Sequence, residues 1–447
     1  MRLLLALLVL TASASASRFV ESRGVVYLDP FGGTAYQLAR CGLNAAFNPL
    51  CGAVTAAPAL SAPTSINACD TVPGTPQRIT AGGNYILANN LVAATNAKCL
   101  TWSVNGVKLD LGGFIVTGRL NGTNEDDAII QNGTVNCNFP DSGADAGCVL
   151  RTLRVAATAP VQLLNVTVRN AAAAARGYRI ENNGVSTYSG TWPQVVIKNA
   201  DGLSASDPTG IRWTNLDITG AIGGTELTDS KITCAADTAA CQGLMCYNSQ
   251  NCWAHNNRMI MVDNTTSETG RAFLADAQAA SCGTGADNML VFNNLIEVND
   301  NRAFRIRCSR GGRFFNNIVV NVLSNGSGAI HLGDADAGED LPNMDFQAYN
   351  NTYSVGTGIV VFLRNGSGAT FRDETVTCAT PCTSGTFSFV RTPSAPGTLS
   401  TLTLMNIRGV AGIGFTTEND VWAGATVNYC NSGTATGAGT KTAISCP

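Results

Sequence analysis

An Asn pair followed by a run of alternating apolar residues occurs four times in the second half of the chain. The copies are Asn256-Asn257-Arg-Met-Ile-Met-Val, Asn293-Asn294-Leu-Ile-Glu-Val, Asn316-Asn317-Ile-Val-Val-Asn-Val and Asn350-Asn351-Thr-Tyr-Ser-Val, spaced 23 to 37 residues apart. A second strand pattern sits between them: Arg271-Ala-Phe-Leu-Ala, Arg302-Ala-Phe-Arg-Ile, Gly328-Ala-Ile-His-Leu and Gly358-Ile-Val-Val-Phe. Each has the period of two expected of a strand with one buried face. Short strands and turn residues repeated at this pitch, without helical periodicity, predict an all-β fold, the coils of a right-handed parallel β-helix. Asn suits the corners, because it tolerates left-handed backbone angles and its amide can pair with the Asn one coil above. An antiparallel sandwich would instead require tight hairpins every 8–12 residues, which are not seen.

Residues 1–16 read as a segment outside the fold. Arg2 is a short positive region, Leu3 to Leu10 an apolar one, and Ala12-Ser-Ala14-Ser-Ala16 a small-residue cleavage zone. That is the pattern of a secretory signal, so a secreted, extracellular protein is expected. No stretch is long and apolar enough for a transmembrane segment. Charged residues are only 13% and the net charge is -3. With no basic run, nucleic acid and acidic membrane surfaces are excluded as expected partners.

Sixteen cysteines in an exported chain point to disulfides, with the pairing left open. A zinc site is the alternative, but His255 and His331 have no Cys or His at finger spacing. Sequons occur at Asn121, Asn132, Asn165, Asn264, Asn325, Asn350 and Asn365, a number that chance alone supplies in so Asn- and Thr-rich a chain.

The stretch from Cys69 to Cys137 carries Ile79-Thr-Ala-Gly-Gly-Asn-Tyr-Ile-Leu, Val107-Lys-Leu-Asp-Leu-Gly-Gly-Phe-Ile-Val-Thr-Gly118 and Ile129-Ile-Gln-Asn-Gly-Thr-Val135. It resembles the entry coils of pectin-lyase-like β-helix proteins, the Leu-Asp-Leu-Gly-Gly segment being the most specific part. The resemblance covers roughly residues 70–410 and implies the fold, but no single activity, since that superfamily mixes lyases, hydrolases, epimerases, tailspikes and adhesins. The expected layout is an N-terminal cap at 17–68, the β-helix at 69–410 and a C-terminal cap at 411–447, the caps covering strand edges that would otherwise recruit other chains.

Aligning the second strand pattern places Phe273, Phe304, Ile330 and Val360 in one inward column, and Ala275, Ile306, Leu332 and Phe362 in the next. The outward columns are then Leu274, Arg305, His331, Val361 and Asp276, Arg307, Gly333, Leu363. Asp276, Arg305, Arg307 and His331 therefore converge on one outer patch, which is the candidate catalytic site. A uronate lyase needs a base and a cation to quench enolate charge. In lyases of the resembling kind, Arg or Lys is the base, and Arg or calcium holds the carboxylate. Here Arg305 or Arg307 would take those roles, with His331 as an alternative base. A hydrolase would need two carboxylates flanking the sugar bond. The competing interpretation is a solvated, ion-paired face of Arg302, Arg305, Arg307, Arg310 and Arg313. The polygalacturonase set of paired Asp, Gly-His-Gly and Arg-Ile-Lys is missing, as are the Trp-x-Asp-His and Arg-x-Pro-x-x-Arg signatures of the main pectate lyases.

Asp334, Asp336, Glu339 and Asp340, with Asp345 further on, could supply hard oxygen ligands to calcium; a plain acidic turn is the alternative. Glu125-Asp126-Asp127 is a second acidic loop with a weaker claim. Trp102, Trp192, Trp213, Trp253 and Trp422 are candidate sugar platforms or core residues. The sequence thus leaves two functions open. One is a carbohydrate-active enzyme on polysaccharide or another glycan, lyase before hydrolase. The other is a non-catalytic surface, envelope or adhesion protein.

Overall fold

The computed structural model describes residues 18–22, 25–29, 42–43, 49–50 and most of 62–446; the longer stretches it does not describe within 62–446 are 71–77, 94–97, 138–146, 171–175, 183–186, 205–212, 237–240, 264–270, 277–286, 324–328, 334–344, 364–367, 379–386, 392–400, 410–415, 418–425 and 436–439. The chain divides into a unit of residues 1–63 and a unit of residues 64–447. In the first, Arg18–Ser22 pairs antiparallel with Val25–Asp29. The expected signal at residues 1–16 lies outside the described residues. No helix of the described residues is long and apolar enough to cross a membrane.

The second unit is a parallel β-helix, as the Asn pairs and the pectin-lyase-like resemblance lead one to expect. Each coil gives one strand to each of three columns. In one coil these are Cys252–His255, Arg258–Asp263 and Arg271–Asp276; in the next, Leu290–Phe292, Leu295–Asn299 and Arg302–Ile306. The three strands of the first of these coils pair in parallel with their counterparts in the next, as in Ala254↔Val291, Met259↔Ile296 and Phe273↔Phe304. Alternation sorts the side chains: Cys252 and Ala254 point into the core, while Trp253 and His255 are half-buried on the outer surface. The ladder begins at Thr64–Ile66, ahead of the expected start at Cys69. It also runs past 410. Thr426–Cys430 stacks on Thr401–Met405, and Thr440–Ala443 on Thr426–Cys430. The segment expected as the C-terminal cap therefore carries ladder strands of its own, and alternation puts Val427 in the core.

The corner between the first and second columns shows what the Asn pairs do. The first member of each pair takes a left-handed backbone: φ is 57° at Asn256, 55° at Asn293, 54° at Asn316 and 56° at Asn350. The second member points inward and is buried. Asn257, Asn294, Asn317 and Asn351 form a column in which each amide donates to the preceding coil's carbonyl and each of the first three also to the next Asn's Oδ1. Glu374 ends this column, accepting the backbone N–H and side-chain amide of Asn351. Backbone groups that a sharp corner would strand inside the stack are thereby satisfied.

Phe314, Phe304, Phe346, Phe371 and Phe389 pack each against the next through the core, with centroids 5.4 to 5.9 Å apart. Three disulfides are defined, Cys69–Cys99, Cys246–Cys252 and Cys430–Cys446, and Cys148 is also disulfide-bonded. These seven cysteines follow the disulfide expectation rather than the zinc one.

Candidate functional site

The third column carries the expected patch. Arg305 is in register with Leu274 of the preceding coil and His331 of the next. Phe304, Ile306, Ile330 and Leu332 fill the core, so alternation turns Arg305 and His331 outward. The Arg307 N–H donates to the Ala275 carbonyl at 2.8 Å, which extends the ladder by one step and sets Arg307 at the position of Asp276 one coil on. Asp276 lies in its strand, but its side chain is outside the described residues. Three of the four candidate side chains are thus brought onto adjacent rungs.

Two expectations change. Ile330 pairs with Val361, and His331 with Phe362, so the last coil is shifted by one residue from the sequence alignment. Val360 and Val361 are both buried, and Thr352–Leu363 runs as one strand with bulges opposite Val319, Val322 and Leu323. The unbroken apolar run from Ile359 to Leu363 gives the alternation there two possible phases. A solvated face is also not what two of its five arginines form: Arg302 is 7% exposed and Arg305 5%, and the neighbouring His331 is 1%. Arg307 is half-buried, Arg310 is exposed, and Arg313 is half-buried with Asp345 as its partner.

The same outward face extends to earlier coils. Arg179 and Glu181 form an ion pair of 2.7 Å at 18% and 20% exposure. Arg179 is in register with Asp217 and that with Met245, while Tyr247 precedes Asp276. Beside this line Gly243, Ala272, Ala303 and Ala329 supply a row without bulk; a Cβ on Gly243 would lie 2.5 Å from the Ala272 carbonyl oxygen. Arg271 and Arg302, in register and 5% and 7% exposed, share the parity of the core residues. Their signal was visible in the two Arg-Ala-Phe strand starts.

The expected calcium ligands Asp334, Asp336, Glu339 and Asp340 lie outside the described residues. Asp345 is described, and it accepts from Arg313 at both its carbonyl (2.6 Å) and its carboxylate (3.3 Å). In the Glu125-Asp126-Asp127 loop all three carboxylates have partners within the chain. Glu125 is buried and takes Arg151 Nε at 2.5 Å and Trp102 Nε1 at 2.7 Å. Asp126 accepts the Thr158 and Ala159 N–H groups, and Asp127 pairs with Lys108. Among the described residues no group of three His, Cys, Asp or Glu is placed to hold a metal ion.

Aromatic residues have a role the sequence analysis missed. The residue before each Asn pair is His255, Phe292, Phe315 or Tyr349, and these rings stack down the outer surface of the first column. Centroid separations are 4.7, 4.9 and 4.8 Å, with interplanar angles of 13°, 1° and 6°, and Arg372 closes the row 4.7 Å over Tyr349. His255 Nε2 lies 3.0 Å from Glu226 Oε1. Ring faces committed to each other are not free to take a sugar face. Of the tryptophans, Trp102 is core, whereas Trp192 is 37% exposed and packs against Trp253 at 4.0 Å. Trp422 and the Trp213 side chain are outside the described residues.

Among solved structures, the chain is similar in outline to the A-module of the Azotobacter vinelandii mannuronan C-5 epimerase AlgE6, at 12% identity over 81% of this chain and 92% of that one, with a TM-score of 0.47. It is also similar to an alginate lyase from Paenibacillus sp. str. FPU-7, at 10% identity over 73% and 90%, TM-score 0.36, and to the Streptococcus pneumoniae surface protein and adhesin PfbA, at 11% over 81% and 87%, TM-score 0.29. No family model and no curated protein matches the sequence. The fold assignment rests on the ladder registers.

Proposed function

We propose that this is a secreted protein that recognises an acidic polysaccharide on the outward face of its third column and cleaves it by a lyase reaction. The observation that carries this is the rung pairing of Arg305 with His331, with Arg307 one step along the same face. Arg307, the half-buried member, meets a uronate carboxylate from the surface; a planar guanidinium pairs with it through two hydrogen bonds. Arg305 and His331 stand behind it, where low water content strengthens their interaction with charge. One of them takes the proton from the carbon next to the carboxylate. The electron pair then forms the sugar double bond as the carbon–oxygen bond to the leaving sugar breaks, and the base returns the proton it took to the departing glycosidic oxygen. Calcium, if held by Asp334, Asp336, Glu339 and Asp340, would supply further positive charge to stabilise the enolate.

Reducing-sugar and unsaturated-uronate assays on a panel of acidic and neutral polysaccharides, with and without a chelator, test this. Turnover confined to polyuronates and abolished in Arg305→Ala/Arg307→Ala is the expected result. Full turnover in that variant, or none in the wild type, removes the lyase assignment. The second reading, a non-catalytic glycan-binding surface, is favoured by the burial of Arg305 and His331; glycan binding without turnover would establish it.

A further inference from the structure

The outer corner between the first and second columns is bonded at both ends and open in the middle. Towards the N-terminal end the corner amides join from coil to coil, Asn165 to Asn132 at 3.0 Å and Asn199 to Asn165 at 2.7 Å. Towards the C-terminal end Asn406 bonds Asp373 at 3.0 Å and Asn431 bonds Asn406 at 3.2 Å. Between them Asp229, Asn256 and Asn293 hold the same left-handed geometry, with φ of 53°, 57° and 55°. Yet among the described residues no side-chain hydrogen bond is made by any of these three. Their exposed amides and carboxylate line a recess of about 570 Å³, a size that accommodates a small ligand. The polar atoms of its buried floor are already bonded, Ser230 to the Thr228 carbonyl and Asn257 to Asn294.

The lining selects for a particular chemistry. Two acids, Asp201 and Asp229, face two bases, Lys231 and Arg258, and Arg258 is already paired with Glu297 at 2.7 Å. Neither a cation nor an anion is favoured by that balance. Successive corner amides are offered about 4.8 Å apart, the rise of one coil, each with donors and acceptors for hydroxyl groups. Leu295 supplies one apolar wall. We infer that this recess binds a neutral oligosaccharide, its hydroxyls held by Asp229, Asn256 and Asn293 and one sugar face against Leu295. The site is on a different wall of the coil stack from the arginine face and does not depend on the lyase proposal.

Saturation-transfer NMR and calorimetry on the full chain test it, with cellotriose, maltotriose and mannotriose as neutral probes and trigalacturonate as the acidic one. At least one neutral probe is expected to bind, with a dissociation constant on the order of 1 mM. Asn256→Gly/Asn293→Gly keeps the backbone geometry and removes both amides; it is expected to weaken that binding at least about fivefold, a loss of roughly 1 kcal/mol. Leu295→Asp, on the partly exposed wall, is expected to do the same and serves if the glycine pair does not fold. Arg305→Ala/Arg307→Ala should leave neutral binding unchanged. No contact from any neutral probe, or equal binding in the glycine pair and Leu295→Asp, would overturn the inference.

Discussion

Asn257 donates both its backbone N–H, at 2.9 Å, and its side-chain amide, at 3.0 Å, to the single Oδ1 of Asn294 one coil on. Asn294 in turn donates to the carbonyls of Ala254 and Phe292. Asn294→Ala would therefore leave several buried backbone and amide groups without partners, at a cost of about 3 kcal/mol. Asn293→Ala removes no buried bond and pays only for a left-handed alanine, about 1 kcal/mol. Urea unfolding of the two variants should separate them clearly. Equal shifts in midpoint would mean that the two members of the pair are not divided between backbone geometry and internal bonding.

Glu374, at the end of the same column, is titratable where the others are amides. Burial, partly offset by hydrogen bonds from Asn351 and reinforced by the neighbouring charge of Asp373, pushes its carboxyl up from 4.5 to about 8. The folded chain therefore keeps a proton that the unfolded chain gives up near 4.5. The stabilisation is complete below that pH and is lost as pH rises towards about 8. Melting temperature should fall across this interval, and Glu374→Gln should flatten the fall. A slope unchanged in the variant would assign the pH dependence to other groups.

A buried ion pair sets a third expectation. Arg151 and Glu125 are 1% and 0% exposed at their side chains, and Trp102 donates to the same carboxylate. Gly122, between Trp102 and Arg151 on the ladder, provides the space; a Cβ there would stand 2.4 Å from Glu125 Oε1 and 2.6 Å from Trp102 Nε1. Arg151→Met strands a buried carboxylate and should cost about 3–5 kcal/mol. Adding Glu125→Gln, which keeps an acceptor for Trp102, should recover part of it. Gly122→Ala should be destabilising on its own. Additive losses in the double variant would argue against direct coupling.

How much of this was legible in the sequence depends on what each residue's position encodes. Alternation around the Asn pairs states which residues face inward, so the columns through Phe273, Phe304 and Ile330 could be aligned without coordinates. It does not state what lies over the outer face, so the burial of Arg305 and His331 was invisible. Phase was lost at Val360 and Val361, where two adjacent apolar residues and an unbroken strand removed the marker. The outer ring stack was readable in principle, since His255, Phe292, Phe315 and Tyr349 each precede an Asn pair. The role of Glu125 was not, because it depends on a gap left by Gly122 across the ladder.

The central claim is that the arginine face recognises a uronate carboxylate. Its most direct measurement is calorimetric titration of wild type and Arg307→Ala with a uronate trisaccharide at two salt concentrations. The account predicts binding that weakens with salt and drops roughly tenfold, about 1.4 kcal/mol, in the variant. Equal affinity in both proteins, or binding indifferent to salt, would contradict it.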